Sequence, residues 1–221
     1  NLKQKNIVIT GAAGLLGKKH SEAVAAYGGN PILLDLFQSD VDILAEELNT
    51  KFDVRSVGFS VDITDERQIE ESVKRIIDLF GNIDGLVNNA ANNPKMEDSN
   101  EKNFSRLENF PLELWSLDIA VGLTGAFLCS KILGAIMERK KGGIILNISS
   151  DLSVIAPDQR IYSHLNFEKP ITYSVIKHGL LGLTKYLAAY WGKYNVRVNS
   201  ISPGGIENNQ NKVFLKKIKK L

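Results

Sequence analysis

A tyrosine and a lysine four residues apart are the leading candidates for chemistry in this sequence. Tyr173 and Lys177 begin a long segment of helical periodicity, where i, i+4 spacing puts two side chains on one helix face. A nearby ammonium stabilises a phenolate and lowers a tyrosine pKa toward neutrality, as general acid–base catalysis requires. Such pairs are also common on helix surfaces, so the spacing alone does not establish an active site.

A glycine-rich turn suggests a phosphate-binding loop near the start of the chain. Gly11, Gly14 and Gly17 lie between a short apolar strand and a helical segment. Glycines there permit a tight turn, allow backbone to approach a pyrophosphate, and direct the helix N-terminus at its negative charge. Any tight strand-to-helix turn could use glycine, but this position at the start of a βαβ unit favours a dinucleotide site.

One carboxylate predicts the choice of dinucleotide. Asp35 ends the second predicted strand, 18 residues after Gly17. A carboxylate there can accept hydrogen bonds from both adenosine ribose hydroxyls and would repel a 2′-phosphate. No Arg or Lys lies within the next ten residues to receive that phosphate. The sequence therefore predicts NAD(H) in preference to NADP(H), although Asp35 could also be a solvated strand-end residue.

The elements that would position these residues alternate along the chain. Six short apolar runs predict strands: Lys5–Thr10, Pro31–Asp35, Val54–Ser60, Gly85–Asn88, Gly143–Ser149 and Val196–Ile201. Five segments with helical spacing predict helices: Leu15–Tyr27, Asp40–Lys51, Glu66–Phe80, Leu112–Lys140 and Thr172–Tyr194. Strand and helix in alternation predict an α/β fold, a Rossmann-like doubly wound parallel sheet with helices on both faces. Two polar stretches, Asn92–Pro111 and Asp151–Pro170, follow carboxyl ends of strands, where ligands bind in such sheets.

Taken together, the motifs resemble the short-chain dehydrogenase/reductase family over nearly the whole chain. The resemblance rests on the glycine turn, Asn88-Asn89-Ala90-Ala91, Ile148-Ser149-Ser150, Tyr173 with Lys177, and Asn199-Ser200-Ile201-Ser202-Pro203-Gly204-Gly205, in the family's order. It implies that Ser150 hydrogen-bonds the substrate oxygen and that Tyr173 transfers the proton. It also implies that Lys177 binds the nicotinamide ribose and lowers the pKa of Tyr173, with hydride passing between the nicotinamide and the carbinol carbon.

The same resemblance implies a cofactor site drawn from all of these motifs. Its residues are Gly11, Gly14, Leu16, Gly17, Asp35, Asp62, Ile63, Asn88, Ala90, Tyr173, Lys177, Pro203, Gly204 and Ile206. Asp62 and Ile63 would flank the adenine, whereas Pro203 and its neighbours would contact the nicotinamide end. Asn88 has an alternative role, because it could simply cap a strand end.

Four departures from the family pattern stand out. The glycine spacing is similar to that of the extended subfamily of nucleotide-sugar epimerases and dehydratases, although the short length favours the dehydrogenases. Gly122 stands where the family usually has its fourth catalytic residue, an Asn that helps to hold a proton-relay water. Ser150 and Tyr173 are 23 residues apart, a longer interval than is usual. The chain also stops at Leu221, before the expected final strand, so we expect residues 1–221 to be one C-terminally incomplete domain.

The insertion between Ser150 and Tyr173 is rich in hydrogen-bonding groups. It contains Asp158, Gln159, Arg160, Tyr162, His164, Asn166 and Lys169. It could be a substrate-facing loop suited to a sugar or sugar phosphate, or a plain surface excursion. The sequence also resembles dehydrogenases associated with bacterial surface-sugar and flagellin-glycan synthesis.

Composition narrows the remaining classes. The net charge is +2, but five lysines lie in the last ten residues, so the body carries no basic nucleic-acid footprint. The tail Val213–Leu221 is amphipathic; a membrane anchor is conceivable, but a helix closing over the substrate is preferred. Cys129 is the single cysteine, which favours a cytoplasmic protein, and the three histidines lack metal-ligand spacing. The apolar run Ile119–Met137 is interrupted by Lys131 and predicts a buried helix.

The leading functional hypothesis is NAD(H)-dependent oxidation of a secondary alcohol, or reduction of a ketone, on a small polar substrate. A 3-oxoacyl carrier-protein reductase shares the catalytic residues, but it normally uses NADPH, and Asp35 counts against it. A non-catalytic nucleotide-binding scaffold is a third possibility, motivated by Gly122. The long helices carry more apolar surface than one sheet face needs, so we expect a homodimer or homotetramer. No metal, nucleic acid or membrane partner is expected.

Overall fold

A computed structural model describes residues 1–92, 104–163, 168–208, 210 and 212–218. Its described strands form one six-stranded, fully parallel sheet in the order β3-β2-β1-β4-β5-β6. The strands are β1 (Asn6–Thr10), β2 (Asn30–Asp35), β3 (Val57–Ser60), β4 (Gly85–Asn88), β5 (Gly143–Ile148) and β6 (Val196–Ile201). The order reverses between β1 and β4, which is the arrangement of a Rossmann-like sheet and the place where such sheets bind ligands.

Seven α-helices connect or follow these strands in the described residues. They are α1 (Leu15–Ala26), α2 (Gln38–Phe52), α3 (Glu66–Phe80), α4 (Leu112–Ile119), α5 (Gly125–Lys140), α6 (Ile171–Trp191) and α7 (Lys212–Ile218). The start of α3 shows how a single residue fixes a helix boundary. The Asp65 carboxylate caps the helix by accepting hydrogen bonds from the backbone N–H groups of Arg67 and Gln68. The predicted α/β architecture is confirmed.

The alternation of side chains along the strands builds a core on each face of the sheet. Val8 and Ile32 pack on one face with residues of α3, α5 and α6. Ile7, Ile9 and Leu33 pack on the other face with α1 and α2. Because both faces are covered, β1 is buried at every position, as its continuous apolar run predicts.

One predicted helix is interrupted. The sequence predicts a continuous helix over Leu112–Lys140, but residues Ala120–Thr124 form a π-helical segment between α4 and α5. This wider turn surrounds Gly122, and π-bulges occur frequently at functional sites. Hydrophobic periodicity does not distinguish a π turn from an α turn, because the extra residue only rotates the apolar face.

The segment Leu112–Lys140 is the one stretch of the described chain that is long and apolar enough, by length and composition, to cross a membrane. Its side chains Leu128, Cys129, Leu133 and Met137 instead belong to the core beneath the sheet. Burial raises the pKa of the Cys129 thiol to about 12, so the thiol stays protonated. These buried residues place one face of α5 in the core.

The basic tail packs on the insertion that precedes α6. The ring of Phe214 in α7 lies 5.5 Å from that of Tyr162. The Lys217 ammonium donates to the Arg160 carbonyl at 3.2 Å and to the Ser163 hydroxyl at 2.8 Å. The amphipathic helix predicted for Val213–Leu221 is therefore present from Lys212 to Ile218, and residues 219–221 lie outside the described chain.

Candidate active site

The candidate residues meet at one edge of the sheet. In a parallel sheet all carboxyl ends point the same way, and Thr10, Asp35, Asn88 and Ile148 end β1, β2, β4 and β5. The motifs that follow these strands are thereby gathered around the reversal of strand order between β1 and β4. Residues far apart in the sequence thus lie along the same edge of the sheet.

The glycine turn fits a pyrophosphate. Gly11 has a φ of +62°, and a Cβ there would lie 2.8 Å from the Ala90 Cα. At Gly17 a Cβ would collide with the carbonyl oxygen of Gly11 and lie 2.7 Å from the Ala12 Cα. The first turn of α1 holds no acidic residue, and Gly14 provides no side-chain cap. The backbone N–H groups at this helix N-terminus are therefore available to an anion.

Asp35 stands beside that turn. Its carboxylate accepts hydrogen bonds from the backbone N–H groups of Ala13 and Leu36, both at 2.8 Å. These contacts fix the carboxylate at the end of β2, next to the loop that would hold the pyrophosphate. The position fits an adenosine ribose whose hydroxyls donate to the carboxylate.

The predicted adenine pair lies at the end of β3. The Asp62 carboxylate accepts from the backbone N–H and the hydroxyl of Thr64 at 2.9 and 2.7 Å. Ile63 is buried and packs against Gly125, where a Cβ would lie 2.6 Å from the Ile63 Cδ1. Asp62 itself is partly buried.

The Asn88-Asn89-Ala90 motif has a division of roles that the sequence did not reveal. The buried Asn88 amide donates to the Ser130 hydroxyl at 2.9 Å and the Asn147 side chain at 2.8 Å, so it faces the interior. Asn89 instead donates to the carbonyls of Thr10 and Gly11, both at 3.0 Å. Asn88 therefore ties β4 to β5 and α5, whereas Asn89 holds the glycine turn. Contact with a cofactor chain would come from Ala90 and the backbone.

Ser150 lies directly beyond β5 and is buried. Its hydroxyl donates to the Asp151 carboxylate at 2.8 Å and also interacts with the Tyr173 phenol, which lowers the pKa of that phenol. Asp151 is a polar neighbour that sequence reasoning missed, although its position next to Ser150 was a usable signal. Its negative charge acts on Tyr173, Tyr162 and Lys169 alike.

Tyr173 and Lys177 share a face of α6, but their electrostatics differ from the expectation. Burial raises the pKa of Tyr173, and the Asp151 charge adds to this effect. The Lys177 ammonium donates to the Ile148 carbonyl at 2.7 Å and lies 5.7 Å from the centre of the Tyr173 ring. Burial and the charge of Lys169 lower the pKa of Lys177 to about 8. The predicted lowering of the tyrosine pKa is wrong for this arrangement, because burial, which disfavours the phenolate, is the largest influence on it.

Two further contacts position α6. The Ser149 hydroxyl donates to the backbone carbonyl of Lys177 at 2.9 Å. At the N-terminus, the Thr172 hydroxyl donates to the buried Asp118 carboxylate at 2.6 Å, and the Asn92 amide donates to the other oxygen of that carboxylate at 2.8 Å. Strand β5 and helix α4 therefore fix the helix that carries Tyr173.

Gly122 faces Ile176, one residue before Lys177. A Cβ at Gly122 would lie 2.8 Å from the Ile176 Cγ2 and 3.0 Å from its Cδ1. The space that the family usually gives to an Asn side chain is therefore partly filled by Ile176. The departure at Gly122 and the side chain at position 176 belong to one packing arrangement.

The remaining predicted residues lie in the segment after β6, in α1 and in the insertion. The Pro203 carbonyl accepts the backbone N–H of Asp151 at 3.0 Å, and a Cβ at Gly204 would lie 3.6 Å from an Asp151 oxygen. Ile206 is exposed, and Leu16 is half-buried in the first turn of α1. Arg160 is exposed and paired with Asp158. His164 and Asn166 lie outside the described residues.

The fold and the residues at this edge define a nicotinamide-dependent oxidoreductase. The model of the short chain dehydrogenase family matches residues 5–218, and this chain belongs to that family. It is an enzyme family, so the scaffold alternative is not supported.

Characterised relatives span most of the chain. An NAD-dependent glycerol dehydrogenase of Listeria innocua is 33% identical over 203 residues, which cover 92% of this chain and 71% of that protein. The post-translational flagellin modification protein A of Campylobacter coli is 29% identical over 219 residues, covering 99% and 84%. The structure of an NAD+-bound xylitol dehydrogenase superposes with a TM-score of 0.82 at 24% identity, covering 99% of this chain and 76% of that one. The last similarity shows the fold alone.

Proposed function

We propose that this enzyme oxidises a secondary alcohol, or reduces the corresponding ketone, on a small polar substrate, with NAD(H) as its cofactor. The proposal is supported by the positions of Ser150, Tyr173 and Lys177 at the same edge of the sheet as the glycine turn. Three groups suited to hydrogen bonding, proton transfer and ribose binding lie at one edge of the sheet. The relatives that act on alcohols support the same reaction class.

The cofactor would be held by the residues around the glycine turn. The N-terminus of α1 receives the pyrophosphate, and Asp35 receives the adenosine ribose. When bound, the nicotinamide accepts or donates a hydride. Lys177, whose ammonium donates to the Ile148 carbonyl in this structure, would hold the nicotinamide ribose.

The chain's own residues manage the proton. In the oxidative direction Tyr173, as phenolate, takes the proton from the substrate hydroxyl and becomes a phenol. In the reductive direction it returns that proton to the new alkoxide. Ser150 donates its hydroxyl to the substrate oxygen, after exchanging the Asp151 carboxylate for the substrate. Tyr173 is half-buried, which reduces the contact of its phenol with water.

Binding of reduced cofactors tests the proposal directly. In calorimetry the wild type is expected to bind NADH at least tenfold more tightly than NADPH, because the Asp35 carboxylate accepts two ribose hydroxyls and repels a phosphate. The variant Asp35→Asn keeps an acceptor oxygen for Ala13 but loses the charge. We expect its NADH affinity to fall by about 10-fold, and its discrimination against NADPH to shrink, because a hydrogen bond to a charged group contributes about 1.5–3 kcal/mol.

The matched control is Asp78→Asn, which removes one charge from an exposed position of α3. It is expected to bind both cofactors as the wild type does. Equal binding of NADH and NADPH by the wild type would refute the assignment of NAD(H), and binding of neither would refute the cofactor site.

A polar substrate is supported by the groups at the opening. Asp151, Tyr162 and Lys169 surround the Tyr173 phenol. Burial raises the pKa of Tyr162 to about 12, so this phenol stays protonated at physiological pH. A sugar alcohol or sugar derivative would find both donors and acceptors here. The dehydrogenases of glycerol and threitol among the relatives act on substrates of this kind.

We further propose a cytoplasmic homodimer or homotetramer that associates through α5 and α6. Phe127 is 46% exposed on α5, and Tyr186 is 65% exposed on α6 with its ring 6.0 Å from that of Tyr190. Large apolar side chains exposed on two adjacent helices are typical of an interface. Light scattering coupled to size exclusion is expected to give at least twice the chain mass of 24.4 kDa. A monomer at micromolar concentration would contradict this proposal.

A further inference from the structure

A second lysine, Lys169, lies closer to the Tyr173 ring than Lys177 does. Its ammonium nitrogen is 3.6 Å from the centre of the Tyr173 ring, whereas that of Lys177 is 5.7 Å away. At 3.6 Å the ammonium is in contact with the face of the aromatic ring. Among the residues that the structure describes, no carboxylate lies within ion-pair distance of it.

The backbone of the insertion holds Lys169 in this place. The Gln159 side chain accepts the backbone N–H of Lys169 at 2.9 Å and donates to its carbonyl at 3.2 Å. The preceding residue, Glu168, donates its backbone N–H to the Ser105 hydroxyl at 2.8 Å. Pro170 then leads directly into α6. Two distant segments therefore fix the residue, and its position is not a consequence of helical spacing.

The charged and titratable groups around Tyr173 form a small cluster. Lys177 faces it from α6, Asp151 from the end of β5, and Lys169 and Tyr162 from the insertion. Burial lowers the pKa of Lys169 to about 8, and Asp151 acts in the opposite direction. The Lys169 charge in turn contributes to the lowered pKa of Lys177. A phenolate on Tyr173 would raise the pKa of Lys169, and an ammonium on Lys169 would lower the pKa of Tyr173, so the two charged forms favour each other and titrate as one coupled group.

We propose that Lys169 is a positioning residue for proton transfer, whose ammonium on the ring face stabilises the phenolate form of Tyr173. The proposal rests on the role assigned to Tyr173 under the proposed function. Lys169 forms and breaks no bond in the reaction. The substrate O–H bond breaks, the phenol O–H bond forms, and the hydride leaves carbon for the nicotinamide, so that atoms and charge balance.

The proposal also gives a physical reason for tolerating glycine at position 122. Where the family's Asn side chain would help to move protons away from the lysine, this chain has a hydrogen and the Ile176 side chain. A second cation, Lys169 on the face of the Tyr173 ring, compensates by making the phenolate easier to form. Removing Lys169 would raise the pKa of Tyr173, because a stabilising cation is lost. It would also raise the pKa of Lys177, because a repelling cation is lost. Both pKa values in the cluster would therefore rise.

The test measures the phenol directly and needs no substrate. The protein is labelled with tyrosine carrying 13C at Cζ, saturated with NAD+, and titrated by NMR, with the Tyr173 signal assigned from Tyr173→Phe. In Lys169→Met the Tyr173 pKa is expected to rise by about one unit, a tenfold change, as loss of a desolvated cation–π contact predicts. Lys169→Arg keeps the charge and is expected to restore the wild-type value to within a few tenths of a unit.

The controls separate this effect from a general loss of charge or fold. Lys185→Met removes an exposed lysine from α6 and is expected to leave the Tyr173 pKa unchanged. Lys169→Gln provides a second neutral variant if the methionine variant unfolds early. An unchanged or lower Tyr173 pKa in folded neutral variants would overturn the inference. Turnover retained by Tyr173→Phe would instead overturn the proposed function, so the two failures are distinguishable.

Discussion

Replacing Tyr173 by Phe is expected to lower kcat by about 10²- to 10⁴-fold, the usual contribution of a positioned general acid or base. The change removes one oxygen from a half-buried side chain, and the ring retains its packing against Lys169. Binding of NADH should therefore stay within a few-fold of the wild type. Steady-state rates with glycerol, xylitol and other polyols measure the first quantity, and calorimetry measures the second.

The matched control for this prediction is Tyr27→Phe. Tyr27 follows α1 at the end opposite the glycine turn and is 66% exposed, so removal of its hydroxyl should leave kcat unchanged. If Tyr173→Phe turns substrate over as fast as the wild type does, the proposed proton transfer is wrong. Loss of both turnover and NADH binding would point to a structural role for the phenol.

The second large effect is expected at the glycine turn. Gly17→Ala places a methyl group against the Gly11 carbonyl oxygen and 2.7 Å from the Ala12 Cα, and both contacts are to backbone. The loop cannot yield without moving the N–H groups that would receive the pyrophosphate. Because each hydrogen bond to a charged group contributes about 1.5–3 kcal/mol, loss of one should weaken NADH binding by at least about 10-fold, and loss of two by at least about 100-fold.

A glycine elsewhere provides the control for this substitution. At Gly182, in α6, a Cβ would meet no atom within 4 Å. Gly182→Ala should bind NADH normally and gain up to about 1 kcal/mol in free energy of unfolding from its higher helix propensity. Thermal unfolding of both variants shows whether Gly17→Ala is still folded when binding is measured. Normal NADH binding by a folded Gly17→Ala would place the cofactor elsewhere.

The two predictions probe different parts of one arrangement. The glycine turn concerns backbone that must approach an anion, whereas Tyr173 concerns a proton held in a desolvated position. If the glycine turn binds the cofactor but Tyr173 is not catalytic, only Gly17→Ala should have an effect, on NADH binding. If Tyr173 is catalytic but the cofactor binds elsewhere, only Tyr173→Phe should have an effect, on turnover. The pair therefore separates binding from chemistry without knowledge of the physiological substrate.

The sequence by itself determined the architecture. Continuous apolar runs predict strands covered on both faces. Strand β1 shows why, because Ile7 and Ile9 pack in the core on one face of the sheet and Val8 packs in the core on the other. Alternation with helices then leaves a parallel sheet as the consistent solution. The glycine turn and Asp35 could be found for the same reason: they act through local backbone geometry and through the end of a strand, and both are properties of short segments.

Only the tertiary structure decided the electrostatics around Tyr173. Spacing placed Lys177 on the same helix face, but it could not show that burial raises the tyrosine pKa or that the Lys177 ammonium is held by the Ile148 carbonyl. Desolvation and charge depend on every segment packed nearby. Lys169 reaches the ring because Gln159 and Pro170 fix the end of the insertion. The Asp151 charge influences the pKa values of Tyr162, Lys169 and Tyr173, which occupy different positions in the sequence.

The same distinction applies to the Asn motif and to Gly122. Sequence reasoning left Asn88 either as a cofactor contact or as a strand-end cap, and only the structure shows that its amide donates to Ser130 and Asn147 inside the protein. Gly122 looked like a lost side chain, whereas the structure shows Ile176 occupying part of that space within a π-helical segment. Local patterns fix which elements form and where they end. Long-range packing fixes which side chains face each other, and the chemistry of the site depends on that packing.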